Sequence, residues 1–174
     1  MYRSIVVAVD GSELGHRALV AATGMAAAFK SRLTVVHALL RGVGHDNLHP
    51  IIDRLKFDEA QRKSLVQLMV PPMVGSGVAG GEAPVVVVPE DALTMIGQRV
   101  LAEAAVVAAA SVIDVRQVLS SDHPAAAIAA AAAEAGADLI VMGSRGLGRL
   151  KGFLLGSVSQ QVVHDSACPC LIVK

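Results

Sequence analysis

At 174 residues the chain has the length of one ordinary domain, with enough material for a core that needs no disulfide or metal staples. Fifteen basic residues balance fifteen acidic ones, so no net field draws the protein to DNA, RNA or an anionic membrane, and nucleic-acid binding is not expected. Hydrophobic residues make up 53% of the chain and aromatic ones only 2%, which suits close helix-on-sheet packing built from Ala and Val.

The N-terminal stretch Met1 to Asp10 lacks a basic start, a long apolar run and a small-residue cleavage site, so a cytoplasmic protein is expected. Ile5 to Val9 is a short apolar run rich in β-branched residues and ended by Asp10-Gly11-Ser12, the pattern of a strand buried on both faces. A helix should follow to about Lys30: Ser12 can cap it, Glu13 lies in its first turn, and Leu14, Ala18, Ala21, Ala22 and Met25 recur at helical spacing. Leu33 to Leu39 reads as the second strand.

The stretch from about Arg41 to Val88 is a long insertion. Ile51, Ile52, Leu55, Phe57, Leu65 and Leu68 could lie on one or two amphipathic helices, either packed on the parent domain or offered to a protein partner. The charge-free run Ser64 to Gly81 contains Pro71, Pro72 and four glycines and has no continuous apolar stretch near 18 residues, so no membrane span is expected. Gly75-x-Gly77-x-x-Gly80 has the letters of a dinucleotide fingerprint, but prolines flank it where a strand and a helix should be, and a loop is expected. His45 and His49, with Asp46 and Asp53, could face one way on a helix as metal ligands, against Pro50 and the want of a clear third ligand.

Glu90 to about Ala110 reads as a helix with Pro89 at its first turn and Leu93, Ile96, Val100, Leu101 and Ala104 on its apolar face. Val112 to Leu119 is a third strand. Pro124 to Ala135 is an Ala-rich helix that starts from Ser121-Asp122 and stops at Gly136. Leu139 to Met142 is a fourth strand, Gly156 to His164 a helix, and Pro169 to Val173 the last strand. The alternation implies βαβ units and a doubly wound α/β fold with a five-stranded parallel sheet covered on both faces. Ligands of such sheets bind at the carboxyl ends of the strands where the strand order switches, and Asp10, Ala38 and Gly143 all lie at strand ends.

The segment leaving the fourth strand carries the chemistry. Gly143-Ser-Arg-Gly146 is followed by Gly156-Ser157 ahead of a helical pattern, so the backbone can approach a ligand closely and the helix start offers N–H groups and a hydroxyl to an anion. Arg145, Arg149 and Lys151 add positive charge for a polyphosphate, unless they are only solvated loop charges. His37 reads as a core or strand-end histidine, and Cys168 and Cys170, two apart around Pro169, as small buried hydrophobes.

Three stretches together, Val-Ala-Val-Asp10-Gly-Ser12, Val36-His37-Ala38 and the ending from Ile140 to Val173 with its G-x2-G-x9-G-[ST] pattern, resemble the universal stress protein family, in its ATP-binding branch. The resemblance covers roughly residues 2 to 40 and 89 to 174. It implies a Rossmann-like fold of the adenine nucleotide alpha hydrolase type and an ATP site, with AMP or ADP as alternatives. It places Asp10, with its neighbours Ala8, Val9 and Ser12, near ribose and phosphates, and it allows a nucleotide-bound Mg²⁺ or Mn²⁺ on Asp10. Ala38 would meet adenine through its backbone. Met142, Gly143, Arg145, Gly146, Gly148, Arg149, Gly156 and Ser157 would hold ribose and phosphate, and Val158 and Ser159 would add helix N-terminal groups. Ala8 departs from the family, where Pro often precedes the Asp. Asp10 could instead serve only to start the helix.

The resemblance also implies a homodimer through Pro169 to Val173, whose Leu171-Ile-Val173 would be an apolar edge if unpaired. Three functions are compatible with these residues: a nucleotide-dependent regulatory module of the stress response, a slow Mg-dependent ATPase, and an interaction protein whose 41–88 insertion binds a partner. No residue stands out as a base to activate water, so an enzyme is the less expected of these.

Overall fold

The computed structural model describes residues 2–69, 88–112, 114–147 and 155–174. Eleven elements follow one another along these residues: β1 (Ser4–Ala8), α1 (Glu13–Phe29), β2 (Arg32–Ala38), α2 (His45–Arg54), α3 (Glu59–Met69), α4 (Glu90–Ala109), β3 (Val115–Ser120), α5 (Pro124–Ala135), β4 (Leu139–Gly143), α6 (Ser157–Asp165) and β5 (Cys170–Val173). The strands form one sheet in the order β3-β2-β1-β4-β5, every pair parallel. From β1 the chain winds outward through β2 to β3 and then returns to build β4 and β5 on the other side. The order therefore reverses between β1 and β4, and the crevice above that pair is where a doubly wound sheet takes its ligand.

The two-residue period of the strands sorts the core into two layers. Ile5, Val7, Leu33, Val35, Leu139 and Val141 face one way and pack with α1 and α4. Val6, Val36, Ile140 and Met142 face the other way and pack with α5 and α6. This two-sided burial explains why β1 and β4 are continuous apolar runs without polar alternation. β3 and β5 are the sheet edges and are only partly buried.

The helix signals act as their chemistry requires. Ser12 Oγ accepts from Gly15 N at 3.0 Å and caps α1, and Gly136 takes the left-handed conformation that ends α5. The buried stripe of α1 is turned slightly from the expected one. It runs Gly15, Ala18, Leu19, Ala22, Thr23 and Ala26, with Leu14, Ala21 and Met25 at its margin, because α1 wedges between the sheet and α4 and buries a wider face. On α4 the five expected apolar residues are all buried. Pro89 precedes that helix as its N-cap and does not lie within its first turn. β3 starts three residues later than expected because Val112 N still bonds to Ala108 O, and the sheet partner for β2 begins with Leu33 N to Asp114 O.

The described residues of the insertion form two helices. Leu48, Ile51, Ile52, Leu55 and Leu65 are buried in the same layer as α1 and α4, so the amphipathic faces of α2 and α3 pack on the parent domain. α4 is long and apolar enough by composition to cross a membrane, yet eight of its residues are buried against the sheet, α1 and the insertion, which is the burial of a core helix. Gly75, Gly77 and Gly80 lie outside the described residues.

Candidate functional site

Three strand ends and one helix start converge on a cavity of about 520 Å³ above the β1/β4 switch, within the ordinary range for small-molecule sites. Ala8, Val9 and Asp10 reach it from the end of β1, and Ala38 from the end of β2. Met142, Gly143, Arg145 and Gly146 come from the end of β4, and Gly156, Ser157, Val158 and Ser159 from the start of α6. The structure thus brings twelve of the fifteen expected site residues to one crevice. Ser12 is the exception among the described residues: its hydroxyl is spent on the α1 cap, and it lines a separate cavity of about 350 Å³ on the other side of the β1–α1 turn. Gly148 and Arg149 lie outside the described residues, as does Lys151.

The glycine pattern closes on itself through the Ser144 carbonyl. Gly156 N donates to that oxygen at 2.7 Å, and the buried Ser159 hydroxyl lies 2.8 Å from it and 3.0 Å from Gly156 O. Ser144 N in turn donates to Val173 O of β5 at 2.7 Å. Ser159 therefore serves the site by tying its two sides together, and its hydroxyl does not face the cavity as a ligand group. No described side chain caps the N-terminus of α6. Its first-turn N–H groups and the positive end of its dipole point to the crevice, which suits an anion.

Asp10 is wedged at the centre. Its Oδ1 accepts from Ser12 N at 2.9 Å, while Oδ2 lies 2.4 Å from where a Cβ on Gly146 would be and Oδ1 lies 2.7 Å from where one on Gly15 would be. Glycine at 146 is what lets the carboxylate and the loop that follows β4 share this space. Gly143 is confined in the same way, since an added Cβ would stand 3.0 Å from both the Arg145 carbonyl and Leu14. Arg145 is exposed at the rim.

A nucleotide-bound Mg²⁺ or Mn²⁺ would find one carboxylate here. With Oδ1 committed to the turn, Oδ2 is the atom that would face the ion, and a Mg²⁺ held by one carboxylate and the phosphates of its own ligand is a common arrangement. Elsewhere, no three His, Cys, Asp or Glu side chains gather around a metal-sized space among the described residues. Cys168 and Cys170 are unpaired and half-buried, and burial pushes both thiols above their ordinary range, as expected of inert packing residues.

The sequence reading missed one wall of the cavity. Leu40, Gly42 and Val43 after β2, and His123, Pro124 and Ile128 at the start of α5, enclose the end above Ala38. The Ser120-Ser-Asp-His-Pro124 stretch also follows a strand, so the rule that points to strand ends extends to it once β3 is known to pair with β2. Arg41 at this end is engaged, with Nη1 donating to Ser121 O at 2.6 Å and Nη2 paired to Glu90 at 2.7 Å. On the far side of the β1–α1 turn, the Arg54 guanidinium of α2 donates to the Gly11 carbonyl and lies 3.9 Å from Glu13.

Residues 1–174 match the universal stress protein family. The chain belongs to that family. A universal stress protein of Thermus aquaticus is 33% identical over 177 aligned residues, covering 100% of both chains. The universal stress protein YxiE of Bacillus subtilis is 30% identical, again over 100% of both. Among solved structures, a universal stress protein in complex with cAMP is 25% identical with a TM-score of 0.61, covering 99% of this chain and 97% of its own. One from Archaeoglobus fulgidus has the same fold at a TM-score of 0.63 and 21% identity, covering 100% of both.

Proposed function

We propose that this universal stress protein binds an adenine mononucleotide, with ATP the expected ligand and AMP or ADP as alternatives, and acts as a regulatory module whose state is set by what it holds. The observation that carries this reading is the convergence of Gly143, Gly146, Gly156 and Ser157 with Asp10 and Ala38 around one cavity. The uncapped start of α6 supplies phosphate donors, and the strand-end backbone at Ala38 supplies a place for the base. The cAMP complex of a relative with the same fold supports it. Binding without rapid turnover is the reading kept, because Asp10 is the one acid among the described residues lining the cavity and its Oδ1 is engaged by the Ser12 N–H.

The test is to denature freshly purified protein, chromatograph the released small molecules, and titrate the emptied protein with ATP, AMP and cAMP by calorimetry. Nucleotide in the first assay or micromolar binding in the second is expected; none in either rejects the reading. We further propose a cytoplasmic homodimer through β5, an edge strand whose Leu171 is 36% exposed. Leu171→Lys should convert a dimer to a monomer in sedimentation equilibrium, and a wild type that sediments as a monomer removes the idea.

A further inference from the structure

His37 is the one polar side chain in an apolar row. Leu33, Val35, His37 and Leu39 are alternate residues along and just past β2 and so face the same layer. The ring is fully buried, with Nδ1 2.8 Å from Val9 O. A carbonyl only accepts, so Nδ1 carries the proton and donates it. Nε2 is then a bare acceptor, and it has no hydrogen-bond partner among the described residues. Room for the ring is made by α4: a Cβ on Gly97 would stand 2.8 Å from His37 Cδ2 and 3.2 Å from Nε2.

As a contribution to stability this arrangement is poor. One hydrogen bond is made and one buried acceptor is orphaned, two effects of similar size and opposite sign. A leucine would fill the row without the second. What the imidazole adds is direction. A trans peptide is planar, with its C=O and N–H pointing oppositely. Pinning the Val9 carbonyl toward β2 and α4 therefore turns the Asp10 N–H the other way, toward the start of α1, where Asp10 N lies 3.3 Å from the position of a Gly15 Cβ. The paired β1–β2 register ends at Ala8 with Val36, and Val9 N still donates to Val36 O at 3.0 Å. The His37 bond holds the next group of the chain, immediately before the turn begins.

We propose that His37 is a positioning residue of the nucleotide site: by holding the Val9 carbonyl it fixes the peptide that carries Asp10 and so sets the Asp10 carboxylate in the crevice between Gly15 and Gly146. This rests on the nucleotide-binding reading above. Burial holds the His37 pKa below its ordinary value, against the opposing pull of the Val9 carbonyl and of Asp10, which keeps the ring neutral and the donor on Nδ1.

The test compares wild type, His37→Leu and His37→Asn by calorimetric titration with AMP, ATP and cAMP. It adds two-bond ¹H–¹⁵N spectra of the wild-type imidazole. Leucine fills the space without a donor, whereas the asparagine amide reaches nearly the position of Nδ1. The leucine variant should bind about tenfold more weakly, as for the loss of one buried hydrogen bond. The asparagine variant should stay within about threefold of wild type. The spectra should show the Nδ1-protonated tautomer. A folded leucine variant that binds like wild type overturns the proposal while leaving nucleotide binding standing. Equal loss in both variants overturns it in favour of packing alone, and an Nε2-protonated ring overturns it even if the leucine variant fails to fold. A wild type that binds none of the three nucleotides overturns both readings together.

Discussion

Gly146→Ala tests whether the crevice works by sharing space between two loops. The new Cβ would stand 2.4 Å from Asp10 Oδ2, roughly 0.9 Å inside the separation of about 3.3 Å at which carbon and oxygen ordinarily meet. The Asp10 side chain is short, and its other oxygen holds Ser12 N at 2.9 Å, so it cannot yield without giving up that bond. Losing one such bond costs about 0.5–1.5 kcal/mol, a fall of roughly 2–5 °C in Tm for a chain of this length. Residue 146 is exposed, so the fold should survive. Binding should suffer more, because the carboxylate moves and the methyl group lines the cavity; a loss of about tenfold or more in ATP affinity is expected. The decisive assay is a double-mutant cycle by calorimetry with Gly146→Ala, Asp10→Ala and the pair. If the alanine acts by displacing Asp10, the pair should bind no worse than Asp10→Ala alone. Additive losses, or a Gly146→Ala protein with wild-type affinity and Tm, would refute the reasoning.

Ser12→Ala removes the α1 cap and should lower stability by about 1 kcal/mol, read as a Tm fall of roughly 2–4 °C, with nucleotide affinity nearly unchanged because the hydroxyl faces away from the crevice. Ser159→Ala should combine a stability loss of about 1 kcal/mol with weaker nucleotide binding, since the Ser144 carbonyl then keeps the Gly156 N–H but loses the hydroxyl; unchanged affinity would show that the tie is dispensable. His37 has a folded pKa below its ordinary 6.5, so below about pH 6.5 the unfolded chain binds a proton that the folded one does not. Stability should therefore fall as pH drops from about 6.5 toward the folded pKa, by up to about 1.4 kcal/mol per pH unit, and urea titrations of His37→Asn should lack that slope. Asp138 is held below the ordinary carboxylate range chiefly by the Arg3 N–H, with the Ser4 N–H adding to it, so its contribution is present above about pH 4 and is lost only at lower pH.

Much of the site was legible because its signals are local. A β-branched run ended by Asp-Gly-Ser, a glycine at a strand end and a second before a helix each follow from what the backbone must do at that point. Asp10, Ala38, Gly143, Gly146 and Gly156 do converge. What local signals cannot carry is how distant segments compete for a group. Ser12 and Ser159 have hydroxyls well suited to phosphate, yet one is taken by Gly15 N and the other by Ser144 O. His37 reads in sequence as a core or strand-end histidine; that its Nε2 has no hydrogen-bond partner among the described residues, and that Gly97, sixty residues away on α4, makes room for the ring, depends on distant segments. The insertion showed its amphipathic faces in sequence; that they turn inward depends on the groove between α1 and α4, which no single segment encodes.

The Ser144 carbonyl, accepting from Gly156 N and the Ser159 hydroxyl while Ser144 N is held by β5, closes the excursion between β4 and α6 at its base with bonds of the protein's own. The entropy of bringing Gly146 and Gly156 to the same crevice is thus lost once, during folding, and does not recur with each binding event. On the nucleotide-binding reading, a ligand then meets the end of β4 and the start of α6 already held together and does not have to order those two ends on binding.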